Sequence, residues 1–174
     1  MTLIEVGALG EVLGALGVII SLIYLSRQVR QNTQAVRTGN ATSLQGNFQQ
    51  LARVLYNDRE TGALIVRAMS GDAALTPEDR LAAYAYFFDM LKSAELAHYQ
   101  FRRGELDGAL WEASLEFYRA YFDTPGFRSY WERRRSAFIP EFREAMEGWL
   151  AAAATLDSPA RLVGMAAEPP ADAL

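Results

Sequence analysis

The chain has 174 residues, 51% of them hydrophobic, with a formal net charge of −4 and a pI near 5.1. That is enough apolar material for one domain with a buried core, while the acidic balance leaves no basic field to drive sequence-independent binding of DNA or RNA. Cysteine is absent, so disulfides, thiolate nucleophiles and cysteine-ligated metals are excluded together.

The first element is an apolar helix. From Val6 to Leu25 the chain reads VGALGEVLGALGVIISLIYL, with Glu11 as its one charge. Twenty residues are what a helix needs to cross a hydrocarbon core of ~30 Å, so residues 1–26 are expected to form a single transmembrane helix. The strictly uncharged part, Val12 to Ser26, is shorter, and its length also suits a buried core helix of a soluble protein. No Lys or Arg precedes the apolar run and no small-x-small site comes after it, which argues against a cleaved signal peptide. Arg27, Arg30 and Arg37 come directly after it, which predicts an outside N-terminus and a cytoplasmic C-terminal part.

Within this helix Gly7, Gly10, Gly14, Gly17 and Ser21 recur at steps of 3, 4, 3 and 4 and so share one face. Small residues in that register let a second helix approach closely, and Gly10-x-x-x-Gly14 is the association motif inside the stripe. The expected contact is with another copy of the chain, with Leu9, Leu13, Leu16, Ile20 and Ile23 turned to lipid. Glu11 lies roughly a turn and a half inside the outer end. It is either an intramembrane carboxylate with a function or an interfacial one that snorkels to water.

Residues 27–43 are polar, with valines only at Val29 and Val36, and read as a solvated helical stalk or linker. From 44 to 154 a helical domain is expected. Leu44, Phe48, Leu51 and Leu55 define an amphipathic helix ending near Asn57-Asp58, and Glu60 to Ser70 a short one closed by Gly71. Thr76-Pro77-Glu78-Asp79 is a cap, proline and acid start for a helix to about Arg103, stopped by Gly104. Two apolar stripes run along it, Leu81, Tyr84, Phe88 and Leu91 on one side and Phe87, Met90, Ala94, Ala97 and Phe101 on another, which suits the centre of a bundle. Asp107 caps a further helix to Phe122, Thr124-Pro125 starts the next, and Pro140-Glu141 opens the last. Seventeen of the twenty aromatic residues fall between Tyr84 and Trp149, which places the core there. Residues 155–174, with Pro159, Pro169 and Pro170, are expected to be a disordered tail.

Chemistry is harder to find. Glu95 and His98 form a Glu-x-x-His pair, but a di-iron bundle needs such a pair from each of two helices, and His98 is the only histidine in the chain. No metal, cofactor or catalytic residue is therefore expected. Glu95, His98, Tyr99 and Arg102 share a helix face and form a candidate polar ligand patch, or a charge ladder that satisfies itself. Arg133, Arg134 and Arg135, with Arg128 a turn earlier, form a candidate membrane-surface contact, or a solvated face paired with Glu132, Glu141 and Glu144. There is no P-loop, dinucleotide turn or nucleophile elbow.

The segments LGVIISLIYLSRQVRQNT at 16–33, LTPEDRLAAYAYF at 75–87 and AELAHYQFRRGELDGALWE at 94–112, with Phe127 to Trp131, resemble an uncharacterised family of short bacterial proteins. Members have one N-terminal hydrophobic helix followed by a small helical domain. The resemblance spans about positions 9 to 145. It implies a bacterial inner-membrane setting and brings no activity, cofactor or partner. The expectation is thus an all-α protein, anchored in the bilayer and self-associating through its first helix, that presents a helical domain to a protein partner as a scaffold. The alternative is a soluble or peripheral helical module, such as a small-molecule sensor, whose apolar first helix packs in its own bundle or a dimer.

Overall fold

The computed structural model describes residues 3–122 and 124–155, which are helical throughout apart from turns and contain no strand. In chain order the helices are α1 (Leu3–Asn57), α2 (Arg59–Met69), α3 (Pro77–Arg102), α4 (Gly108–Phe122), α5 (Pro125–Arg134), a 3-10 turn (Arg135–Ala137) and α6 (Pro140–Thr155). The tail expectation for 155–174 falls, from residue 156 onward, outside the described residues. The chain divides into two compact units, residues 1–39 and 40–174.

The described residues of the first unit are helix alone. Every side chain described from Leu13 to Gly39 is exposed, the apolar ones and the polar ones alike. Hydroxyl residues sit in this helix without breaking it because they bond back to the preceding turn: Ser21 Oγ donates to Gly17 O at 2.9 Å and Thr33 Oγ1 to Val29 O at 3.0 Å. Residues 27–43 are helical and run without a break into the amphipathic segment from Leu44, which is therefore the end of α1 and not a separate helix.

The second unit begins at Asn40, whose side-chain amide donates to Glu105 O at 3.0 Å. Leu44 and Leu51 of α1 are buried, and Phe48 meets Phe117 edge-on at 4.8 Å. The corner into α2 is tight. Asp58 caps α2 by accepting from Glu60 N at 3.0 Å, and a Cβ on Gly62 would come within 2.7 Å of Leu55 O. Gly71, at φ 77°, ends α2 in the left-handed conformation that glycine adopts without steric cost.

Helix α3 starts as its sequence announces, with Thr76 Oγ1 accepting from Asp79 N at 3.1 Å and Pro77 in the first turn. It stops before Gly104, φ 69°. Its two stripes are not equivalent. Phe87, Met90, Ala94 and Ala97 are buried, whereas Leu81 is 69% and Phe88 39% exposed, so α3 keeps one solvent-facing edge. Asp107 caps α4 through Ala109 N at 2.9 Å. Thr124, by contrast, does not cap α5: its hydroxyl donates backward to Tyr121 O at 2.9 Å.

The core is aromatic. Phe87 packs edge-on against Phe127 at 5.7 Å and Tyr130 at 5.6 Å, and Phe122 links Phe127 at 5.1 Å to Trp149 at 6.2 Å. Such pairs add ~0.5–1.5 kcal/mol each beyond the area they bury. Helix α5 reaches this core because Gly126 lies directly on the end of α2, where a Cβ would be 1.7 Å from Ala68 O.

Candidate functional site

The four residues of the α3 patch share a helix face but not an environment. Glu95 is drawn toward the α5–α6 junction: Oε1 accepts from Ile139 N at 2.7 Å and Oε2 from Lys92 Nζ at 2.8 Å. Lys92 also donates to Ala137 O at 2.8 Å and lies over the Phe138 ring at 4.6 Å. The carboxylate thus holds the N–H just ahead of α6, as a capping-box acid would, but from another helix.

His98 is buried, with ring centroids of Trp111, Trp149 and Phe142 at 5.5, 5.6 and 5.9 Å. Removal from water, with the Arg102 charge as a lesser cause, holds its pKa below the ordinary 6.5. A neutral imidazole in an aromatic cage is a core residue. Tyr99 is exposed beside Arg103, whose guanidinium stands 5.5 Å from the ring centroid, and Arg102 is exposed too. The charge ladder expected between Glu95, His98 and an arginine is replaced by bonds to Lys92 and to the backbone of residues 137 and 139.

The basic run of α5 is also divided. Arg128 reaches Leu150 O at 3.5 Å and Arg135 pairs with Glu147 at 2.9 Å, both toward α6. Arg133 instead lines a cavity between α2, α3 and α5. Glu11 and the stripe residues Gly7, Gly10, Gly14, Gly17 and Ser21 are exposed, and a Cβ at any of the four glycines would meet nothing within 4 Å.

No family model, curated protein or solved structure matches this chain. Among the described residues no group of three or more His, Asp or Glu is placed to hold a metal. Several hydroxyls are buried without a hydrogen bond of good geometry, those of Tyr86, Ser93, Tyr118 and Tyr130. Desolvation raises the Tyr118 and Tyr130 phenols to about 12 and drives Tyr86 upward as well, so all three stay neutral in the fold. Ser93 with Tyr118 and Tyr121 with Tyr86 are the neighbouring hydroxyls across α3 and α4. Nothing in the spacing of the sequence brings Arg80 of α3, Ser129 and Arg133 of α5 and Asp72 of the α2–α3 loop to one cavity, as the fold does.

Proposed function

We propose that the protein is a membrane-anchored, self-associating helical scaffold, with α1 crossing the bilayer and the second unit offered to a protein partner. The observation that carries this reading is the exposure of the apolar stretch. Nine large side chains from Leu13 to Leu25 stand 50–69% exposed. Burying such a side chain fully stabilises by roughly 1.5–3 kcal/mol, so leaving these nine half in water costs on the order of 10 kcal/mol. α1 is long and apolar enough to cross a membrane, and none of its most apolar window is buried. Hydrocarbon would cover that surface on all sides. The free glycine face supports a helix–helix contact, and Tyr24 with Arg27 and Arg30 suits the headgroup level at the inner side. In this reading the setting is a bacterial inner membrane, with the N-terminus outside, residues 27–39 a polar stalk and the aromatic unit in the cytoplasm.

Cell fractionation tests it. The full chain should sediment with membranes and resist alkaline carbonate, and a reporter fused at its C-terminus should give a cytoplasmic signal. Full solubility without detergent would overturn the anchor, and a periplasmic signal would overturn the orientation.

A further inference from the structure

From the cavity between α2, α3 and α5 we infer that the second unit binds a small organic carboxylate with an apolar or aromatic body. The cavity has a volume of about 370 Å3, within the ~300–1,000 Å3 range of small-molecule sites. Its floor is apolar, made by Ala68, Leu75, Ala83 and Phe87, all buried. Arg80 of α3 and Arg133 of α5, both exposed, line it as well, together with Ser129 of α5.

Their charge is not cancelled from within. The one carboxylate on the cavity wall, Asp72, is already held by Arg67 Nε at 2.9 Å and Ala74 N at 2.8 Å. Those bonds keep its pKa below the usual 3.8, the Ala74 N–H being the larger cause. They also fix the wall loop, in which Asp72 N donates to Arg67 O at 3.2 Å. Arg80 makes one long contact, Nη2 to Leu75 O at 3.4 Å, which leaves the rest of its fork open. Arg133 has no hydrogen-bond or ion-pair partner among the described residues.

Two guanidinium groups with donors to spare line an otherwise largely apolar cavity, and their planar forks match a carboxylate. Tyr84, half-buried in the wall, suits a flat body behind that carboxylate. The walls are preformed, because α2, α3 and α5 pack on one another through Gly126, Phe87 and Phe127.

The test uses the full chain in detergent, with benzoate as probe, its neutral isostere benzamide and inorganic phosphate, each titrated calorimetrically. Benzoate should bind, benzamide and phosphate at least about tenfold more weakly, and Arg80→Gln or Arg133→Gln should each weaken benzoate by about tenfold. Both arginines are exposed, so the variants should keep the wild-type circular dichroism and melting temperature. Ala73→Leu, on an exposed wall residue, should block the cavity and abolish benzoate binding while leaving both charges in place. Equal binding of benzoate and benzamide would overturn the role of the arginines. Equal binding of phosphate would overturn the role of the apolar floor, and benzoate binding that survives the double Arg80→Gln, Arg133→Gln variant would overturn the site.

Discussion

His98 and Gly126 act through single atoms. The His98 imidazole is caged by Trp111, Phe142 and Trp149, and its depressed pKa means that the folded chain takes up a proton less readily than the unfolded one. Stability is therefore intact above the ordinary value of 6.5 and falls as pH drops from there toward the folded pKa. The lowered Asp58 and Asp72 lose their contribution only as pH falls through the region of 3.8 and below, outside that window. Melting temperature should drop as pH falls below the ordinary histidine value of 6.5 in the wild type, and His98→Gln should flatten the drop. An unchanged slope would mean that His98 protonates in place. Glycines differ as sharply. Gly126→Ala forces a Cβ into Ala68 O and should cost about 2–4 kcal/mol, whereas Gly148→Ala, in open space on α6, should stabilise by about 0.5–1 kcal/mol. Urea denaturation of the two variants measures both signs.

One element depends on contacts that lie far apart in the chain. The α5–α6 junction is held by Glu95 and Lys92 of α3, reaching Ile139 N and Ala137 O. Glu95→Ala should speed hydrogen exchange at the Ile139 amide and cost about 1–3 kcal/mol, while Glu95→Gln, which keeps an acceptor oxygen, should cost less. Equal effects would mean that the ion pair with Lys92, and not the bond to Ile139, holds the turn. Helix α1 poses the opposite case, a face with nothing on it. If the glycine stripe is a contact between copies, Gly14→Leu should weaken cross-linking of the full chain and Leu13→Ala should not, because close backbone approach, and not hydrophobicity, drives association in lipid. Loss with Leu13→Ala alone would reverse the assignment of faces.

At the scale of the molecule, the apolar residues found buried among the described ones run from Leu44 to Met146, all within the unit that begins at Asn40. A piece starting at residue 40 should therefore melt cooperatively and stay in solution, whereas the full chain should partition into membranes. Aggregation of that piece without cooperative melting would mean that residues 1–39 contribute to the fold. The all-helical class, the helix starts at Thr76-Pro77 and Asp107 and the stops at Gly71 and Gly104 were legible in the sequence. Each depends on residues within four or five positions of one another: a side-chain oxygen meeting an N–H of the next turn, or a φ that glycine tolerates. The apolar run was legible for the same reason, since length and composition are properties of the chain alone. Thr124 shows the limit of such reading, because a cap and a backward bond to Tyr121 O use the same hydroxyl, and packing decides between them. Only the tertiary structure separated Glu95 from His98, split Arg133 from Arg128 and Arg135, and set Arg80 and Arg133 on one cavity. The periodicity of a helix says which residues share a face. What that face meets is set by groups that other helices bring from tens of residues away, and their charges and volumes decide whether a side chain becomes a strut, a core residue or a site.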